Sequence, residues 1–289
     1  MPDTLQPDAA PMVPATTRTA PLLDVRNIVK RYTTSEGGIT AVDDVSFTVG
    51  AGEFVSIIGP SGCGKSTLFN IVGGLIGDYQ GSVAVDGEKI RGTHASIGMV
   101  FQEESAFPWR TVEENVAFAL EIAGMPRAQR LAEAGHFIEL VGLHGFERRY
   151  PSELSGGMRQ RVAIARTLAS KPRILLMDEP FAALDEQTRL LLGDKVLQIQ
   201  QALKQTTLLI THNLTEAVQL SDRVLVMTYR PGRLKRFVEI GLPHPRDSDV
   251  VTSERFGRYV AEIWNDLREE ATRGIEADEA TKREARDGR

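Results

Sequence analysis

The chain has 289 residues, of which 42% are hydrophobic and 25% are charged, values typical of a folded globular protein rather than of a disordered or fibrous one. Its 39 acidic and 34 basic residues give a formal net charge of -5 without a long basic block, which argues against nucleic acid as a partner. The single cysteine, Cys63, excludes an intramolecular disulfide and fits a reducing compartment, for which the cytosol is the default.

The N-terminal stretch, residues 1–21, is rich in proline, alanine and threonine, which predicts a flexible leader. It lacks the basic start and the apolar run of a secretory signal. Nowhere does the sequence contain about 18 consecutive apolar residues, so we expect no segment of this chain to span a membrane.

Strand patterns open the ordered part of the chain. From Leu22 to Val49, apolar and polar residues alternate on both sides of Gly37 and Gly38, which predicts an antiparallel hairpin. Residues 53–58 are mostly apolar and lead into a glycine-rich loop and then into a helical stretch. The expected order is therefore strand, loop, helix.

The middle of the chain predicts two more strands followed by helices. Residues 81–87 and 95–102 have the composition of strands. The pattern then turns helical from Thr111 to about Ala169, a span in which three helices fit.

Strands and helices alternate in the remaining sequence. The apolar run at 173–177 is typical of a strand buried on both faces of a parallel sheet. Alternating helix and strand segments follow at 186–203, 207–211, 214–220 and 223–228. This order is that of βαβ units and predicts an α/β core. Beyond Pro245 the chain becomes helical and densely charged, and we expect this tail to stay peripheral.

A phosphate-binding pattern stands between the third predicted strand and its helix. Residues 59–66 match G-x-x-x-x-G-K-[S/T], in which glycines let backbone N–H groups point at phosphate oxygens near a helix N-terminus. Lys65 would neutralise charge on the terminal phosphates, and Ser66 would offer its hydroxyl to Mg2+. The predicted nucleotide-binding residues here are Gly59, Pro60, Ser61, Gly62, Cys63, Gly64, Lys65, Ser66 and Thr67. The alternative is a glycine-rich turn with an exposed lysine.

Two carboxylates follow the buried strand at 173–177. Asp178 and Glu179 stand at its carboxyl end, the edge at which open α/β sheets bind ligands. Asp178 is placed to hold Mg2+, and Glu179 to polarise the water that attacks the terminal phosphorus. The alternative is that both carboxylates cap the following turn.

Four further motifs occur in a fixed order: Gln102 after a strand, LSGGMRQ at Leu154–Gln160, ALD at 183–185, and His212 after a strand. With them the sequence resembles the ATP-binding cassette (ABC) ATPases over about residues 22–242. The resemblance implies an α/β fold, a P-loop NTPase cassette with a RecA-like parallel-sheet core, an antiparallel β edge subdomain and an α-helical signature subdomain. The helical subdomain would span about 103–164, and 243–289 would be the charged tail.

The resemblance also implies roles for single residues. Tyr32 looks like the aromatic side chain that stacks on adenine, with packing at a strand edge as the alternative. Gln102 would contact Mg2+ and the attacking water, and His212 would contact the terminal phosphate. The implied catalytic residues are therefore Lys65, Gln102, Glu179 and His212. The signature residues, which would act on the nucleotide of the opposite subunit, are Ser155, Gly156, Gly157 and Gln160. Asp185 would couple the two subunits, and Ser66, Gln102 and Asp178 would hold Mg2+.

Within the family, the stretches FQEESAFPWRTVEENV, DEPFAALDEQTR and MTYRPGR are most similar to importer ATPases for nitrate, sulfonates and taurine. This likeness implies ATP and Mg2+ as cofactors and a second ATPase subunit, most simply an identical copy. It also implies an integral membrane permease, a periplasmic or extracellular substrate-binding protein acting through it, and a peripheral position on the cytoplasmic face of the inner membrane. Trp109 would lie in the groove that receives the permease, or else be a partly buried anchor without a partner.

Other functions stay open at this point. The chain could power an importer for a different small solute, or be a soluble ABC ATPase that acts on nucleic acid or ribosomes. A small-molecule kinase and one half of an exporter are further alternatives. LSGGMRQ argues against the kinase, and the lack of fused membrane helices argues against the exporter.

Overall fold

The computed structural model describes residues 20–34, 37–102, 105–182 and 184–287. Almost all of the predicted leader lies outside these ranges, as does Ala183 of the ALD motif. In these ranges the fold comprises two β-sheets and the helices that pack around them.

The first sheet is antiparallel and contains the predicted hairpin. Its strands lie in the order β2-β1-β4-β5 and span Leu23–Thr34 (β1), Gly37–Val49 (β2), Gln80–Val85 (β4) and Glu88–Lys89 (β5). The hairpin register runs from Leu23 opposite Val49 to Thr34 opposite Gly37, which confirms the prediction. The single strand predicted at 81–87 is wrong at its end, because Asp86 and Gly87 both have positive φ and form a two-residue turn.

The second sheet is the core. Its strands lie in the order β10-β9-β3-β8-β7-β6 and span Phe54–Ile58 (β3), Ile97–Val100 (β6), Ile174–Asp178 (β7), Thr206–Ile210 (β8), Arg223–Met227 (β9) and Leu234–Glu239 (β10). All residues of β3, β7 and β8 are buried. The strands pair in parallel except β10, so the predicted α/β core is confirmed.

The edge strand β10 is a feature that the sequence pattern does not predict. Of its six residues only Val238 is buried, and its sequence LKRFVE is too polar to stand out as a strand. Charged residues on an edge strand keep it from pairing with other chains.

The helices cover both faces of the core sheet. They span Lys65–Val72 (α1), Val112–Val116 (α2), Phe118–Ile122 (α3), Arg127–Leu140 (α4), Gly156–Ala169 (α5), Glu186–Leu203 (α6), Leu214–Leu220 (α7) and Glu254–Asp287 (α8). Four helices rather than the expected three occupy the stretch from Thr111 to Ala169. The expectation was wrong because the first helical segment divides at Ala117, which ends α2 and precedes α3.

The C-terminal helix α8 packs on the core along its first half. Phe256, Ile263 and Leu267 are buried and join the third hydrophobic cluster, which includes residues of α7 and β9. Glu270 is buried as well, with 1% of its surface exposed. The expectation of a wholly peripheral tail is therefore wrong, because apolar residues recur at helical spacing among the charged ones.

Within the described ranges, none of the helices combines the length and the apolar composition that crossing a bilayer requires.

Candidate functional site

The phosphate-binding loop joins the buried strand β3 to helix α1. Two of its glycines have left-handed backbone conformations, with φ of +72° at Gly62 and +98° at Gly64. A Cβ atom at Gly64 would lie 2.5 Å from the carbonyl oxygen of Ala41. The loop can therefore pass this close to β2 only with glycine at that position.

The side chain of Lys65 lies inside the loop and is 7% exposed. Its Nζ donates hydrogen bonds to the carbonyl oxygens of Gly59 at 2.8 Å and Pro60 at 2.9 Å. These bonds fix a positive charge at the centre of the loop, next to the N-terminus of α1. The exposed lysine of the alternative interpretation does not occur.

Cys63 is fully buried and faces the hydrophobic core instead of the loop surface. Burial raises the pKa of its thiol, although the nearby Lys65 acts in the opposite direction. A Cβ atom at Gly59 would lie 2.8 Å from Sγ of Cys63, so the two residues pack tightly. The thiol fills space beneath the loop.

Asp178 ends β7 beside Ser66 of α1. Burial raises the pKa of Asp178, and a hydrogen bond from the Ser66 hydroxyl partly opposes that rise. Oδ1 of Asp178 is buried and lacks a hydrogen-bond partner within the described ranges. A buried carboxylate oxygen beside a hydroxyl oxygen suits a small hard cation such as Mg2+.

Glu179, His212 and Gln102 converge from three neighbouring strands. Glu179 follows β7, has a φ of +44°, and donates its backbone N–H to Ile210 of β8 at 2.8 Å. Its Oε2 lies 3.0 Å from Nδ1 of His212 and 3.4 Å from Nε2 of Gln102. A carboxylate thus stands between an imidazole and an amide at the carboxyl edge of the sheet, the edge at which such sheets bind ligands.

These groups open onto one cavity of about 710 Å³. The phosphate-loop residues that line it are Ser61, Gly62, Gly64, Lys65, Ser66 and Thr67. Gln102, Glu179 and His212 line its other side, so the predicted loop and the predicted catalytic residues share one space.

Arg230 also lines this cavity, and the sequence analysis did not identify it. It lies within MTYRPGR, a stretch noted for its similarity to importer ATPases but not for any single side chain. The available signal was a basic residue three positions after the end of the apolar strand β9.

Tyr32 lies beside the phosphate loop in β1 and is 38% exposed. Its hydroxyl is 3.4 Å from Oγ1 of Thr67, and Nζ of Lys30 lies 4.7 Å from the centre of its ring. The ring is therefore at the edge of the site, where both a nucleotide base and a packing role fit its position.

The signature residues lie at the start of α5 and do not line the phosphate cavity. Ser155 is the N-cap of α5 and accepts a hydrogen bond from the backbone N–H of Met158 at 3.3 Å. Ser155 and Gly157 line a different cleft, together with Thr188 of α6. Gln160 is 5% exposed, and its Nε2 has no hydrogen-bond partner among the described residues.

Asp185 is the N-cap of α6 and accepts a hydrogen bond from the backbone N–H of Thr188 at 3.0 Å. This bond holds the pKa of Asp185 below its usual value. A Cβ atom at Gly157 would lie 3.1 Å from Cγ2 of the same threonine. Asp185 and the signature helix therefore meet at Thr188, on a surface separate from the phosphate loop.

Residues 105–111 form a surface loop that is anchored by Asn115, which is fully buried. Oδ1 of Asn115 accepts from the backbone N–H of Phe107, and its Nδ2 donates to the carbonyl oxygens of Phe107, Arg110 and Thr111. Trp109 in this loop is 71% exposed, which contradicts the alternative of a partly buried anchor.

Arg166 of the signature helix α5 joins the same loop from the other side. Its guanidinium donates to the carbonyl oxygen and the hydroxyl of Ser105, both at 2.6 Å, and lies 5.1 Å from the centre of the Phe107 ring. Burial lowers the pKa of Arg166 from its ordinary value. The loop is thus tied directly to the helix that carries the signature.

The family described as ABC transporter matches residues 42–182. An uncharacterized ABC transporter ATP-binding protein of Methanocaldococcus jannaschii is 48% identical over 253 residues, covering 88% of this chain and 94% of the relative. An aliphatic sulfonates import ATP-binding protein of Bacillus cereus is 41% identical, covering 82% of this chain and 94% of the relative. A nitrate import ATP-binding protein of Synechocystis is 40% identical, covering 88% of this chain and 98% of the relative.

Among solved structures, the chain resembles a dimeric ATP-binding cassette in a post-hydrolysis state, bound to ADP and Pi. The TM-score is 0.68 at 32% sequence identity, and the superposition covers 76% of this chain and 100% of the other.

Proposed function

We propose that this chain, which belongs to the family of ABC transporter ATP-binding proteins and is an ATP hydrolase, powers the import of a small anion through a separate membrane permease. Nitrate, an alkanesulfonate and taurine are the solutes that the sequence favours. The similarity to importer subunits named for sulfonates and for nitrate supports this choice.

The observation that carries the proposal is the approach of Glu179, His212 and Gln102 to one another across the cavity from the phosphate loop. Lys65 neutralises charge on the terminal phosphates, and the Glu179 carboxylate accepts a proton from the attacking water. His212 holds Glu179 through Nδ1 and places its other ring nitrogen for the terminal phosphate. Tyr32 stacks on the adenine.

Ser66, Asp178 and Gln102 are the residues we assign to Mg2+. The unpartnered Oδ1 of Asp178 and the adjoining Ser66 hydroxyl support the assignment. When bound, the cation neutralises charge on the phosphate oxygens and so favours attack at phosphorus.

Two copies of the chain are proposed to close head to tail around two ATP molecules. Ser155, Gly156, Gly157 and Gln160 of one copy would then complete the phosphate site of the other, with Asp185 at the contact. Within one chain, the signature cleft and the phosphate cavity have different linings, which supports completion by a second subunit. The dimeric state of the similar solved cassette supports the same arrangement.

We place the permease contact at the loop around Trp109, on the cytoplasmic face of the membrane. An exposed aromatic side chain on a rigidly anchored loop suits a protein interface. Because Arg166 ties this loop to the signature helix, closure of the dimer would move the loop with it. A substrate-binding protein outside the membrane would then deliver the solute to the permease.

The test is co-purification from detergent-solubilised membranes, followed by ATPase measurement in vesicles with and without candidate solutes. Recovery of a permease and stimulation by nitrate, a sulfonate or taurine is the expected result. Recovery with ribosomes or nucleic acid and no permease would favour the soluble alternative. Stimulation by an unrelated solute alone would reject the small-anion assignment while leaving the importer.

A further inference from the structure

The loop between β9 and β10, residues 228–233, places an arginine against the phosphate loop. Nε of Arg230 donates a hydrogen bond to the carbonyl oxygen of Gly62 at 3.0 Å. A Cβ atom at Gly62 would lie 2.7 Å from one terminal nitrogen of the same guanidinium. Glycine at this position therefore lets the guanidinium lie directly on the phosphate loop, whose carbonyl oxygens also bind Lys65.

This loop, which we call the Arg230 loop, is fixed to the rest of the core. The backbone of Gly232 exchanges hydrogen bonds with β2, donating to Ala41 at 3.0 Å and accepting from Asp43 at 2.9 Å. Within the loop, Thr228 and Arg233 are joined by two hydrogen bonds of 2.9 Å and 3.0 Å. The position of Arg230 is thus set by backbone contacts and not only by its own flexible side chain.

Helix α8 holds the same loop from outside. The buried carboxylate of Glu270 accepts the backbone N–H of Tyr229 at 3.0 Å, and its other oxygen lies 3.2 Å from Nζ of Lys235. Arg273 adds a further ion pair to Glu270 at 3.1 Å. A Cβ atom at Gly274 would lie 2.9 Å from the ring of Tyr229, so the helix passes the ring with only a glycine between them.

We propose that Arg230 binds the phosphate chain of the nucleotide as a second cation beside Lys65, and that Glu270 and Gly274 of α8 position it. A guanidinium has five N–H donors, and the bond to Gly62 uses the one on Nε. Arg230 also lines the cavity, so the donors of its two terminal nitrogens are available to a phosphate chain bound there. The C-terminal helix thereby acts on nucleotide affinity through one residue of the loop it covers. This inference rests on the proposed nucleotide site.

The first arm of the test measures the dissociation constant of a fluorescent ATP analogue with the purified full chain. Arg230→Ala is expected to raise it about tenfold, the size of a lost charge-assisted hydrogen bond to phosphate. Arg230→Lys keeps the positive charge but loses the planar set of guanidinium donors, so its dissociation constant is expected to lie between those of the wild type and Arg230→Ala. Arg233→Ala is the matched control, because Arg233 lies in the same loop but pairs with Asp43.

Ionic strength separates a phosphate contact from a structural role. The wild type is expected to lose affinity with added salt more steeply than Arg230→Ala, because one screened charge contact is missing in the variant. Equal affinities and equal salt dependences for Arg230→Ala and the wild type would overturn the inference while the proposed function stands. Failure of the wild type itself to bind the analogue would instead reject the nucleotide site.

The second arm tests α8 by a double-mutant cycle. Glu270→Ala is expected to raise the dissociation constant about threefold in the wild-type background and not at all in the Arg230→Ala background, because its effect passes through Arg230. Gly274→Leu, which displaces the Tyr229 ring, should behave in the same way and replaces Glu270→Ala if that variant does not fold. Increases of equal size in both backgrounds would contradict the positioning role of α8.

Discussion

Nδ1 of His212 lies 3.0 Å from Oε2 of Glu179, although the two residues follow different strands of the core sheet. β7 and β8 are adjacent and parallel, with Asp178 opposite Ile210, so the residues just beyond them emerge side by side. The backbone N–H of Glu179 donates a hydrogen bond to the carbonyl oxygen of Ile210 itself. Glu179 has a left-handed backbone conformation, which few residues other than glycine adopt. Strand register and local strain together aim this carboxylate into the cavity.

The first prediction concerns the base. Glu179→Gln should retain ATP binding and lose about 10² to 10⁴ in turnover, because an amide cannot accept the proton of the attacking water. Phosphate release under saturating ATP measures this loss. Glu186→Gln is the control, since Glu186 is exposed at the start of α6 and loses the same charge.

The same variant tests the dimer. With hydrolysis blocked, ATP should hold two chains together, and size-exclusion chromatography should show a dimer with ATP and a monomer with ADP. A chain that turned over normally after Glu179→Gln would reject the catalytic assignment. A trapped chain that stayed monomeric at high concentration and with its permease present would reject the head-to-tail arrangement.

The second prediction concerns the signature serine. Ser155→Asp keeps an N-cap acceptor for Met158, so the thermal stability should change little. It places a negative charge where the phosphates of the second subunit's nucleotide are proposed to lie. We therefore expect nucleotide affinity of the monomer to remain and ATP-dependent dimerisation to be lost, as measured by chromatography in the Glu179→Gln background.

Thr111→Asp provides the matched control for that charge change. Thr111 is also an N-cap, at the start of α2, and accepts from the backbone N–H of Glu114. It should leave dimerisation unaffected. Loss of dimerisation in both variants would point to net charge rather than to the signature.

The sequence predicted the features that depend on continuous patterns. The phosphate loop, the hairpin and the buried strand ending at Asp178 all follow from runs of neighbouring residues, and each occurs where expected. Arg230 and β10 were missed for a different reason. Arg230 hydrogen-bonds to Gly62, 168 positions away along the chain, and such a long-range contact has no local pattern, while β10 is an edge strand in which only Val238 is buried.

In the helical region, too, features that depend on contacts between distant residues were not predicted. The amide of Asn115 organises the surface loop through bonds to Phe107, Arg110 and Thr111, yet a lone asparagine carries no signal in the sequence. The break between α2 and α3 at Ala117 also depends on how the loop and helices pack, because alanine itself favours helix.

The third prediction separates the surface of that loop from its anchor. Trp109→Ala should change the free energy of unfolding by less than about 0.5 kcal/mol, because an exposed side chain away from the core contributes little. Asn115→Ala should cost roughly 2 to 4 kcal/mol, because it removes a buried amide and leaves several partly buried backbone groups without their partner. Denaturant unfolding of both variants measures the difference.

The functional half of this prediction concerns coupling. Trp109→Ala should keep the ATPase activity of the isolated chain and lose stimulation by solute in vesicles that contain the permease. A variant that kept full stimulation would remove Trp109 from the proposed permease contact. Ile122→Ala, another exposed apolar change in the same helical region, serves as the comparison for general surface effects.

The last prediction concerns the thiol beneath the phosphate loop. Burial raises the pKa of Cys63, so at neutral pH the native thiol stays protonated and reacts slowly with a disulfide reagent, both because thiolate is scarce and because the sulfur is covered. Reaction with Ellman's reagent should be fast in denaturant and much slower in the native chain.

Raising the pH should accelerate labelling of the native Cys63 thiol only at pH values above those that ionise the unfolded thiol. Because the folded state then holds its proton longer than the unfolded state does, stability should fall as the pH rises through that interval, and Cys63→Ala should remove this component. Rapid native labelling at neutral pH would show that the sulfur is accessible from the phosphate loop and would contradict its place in the core.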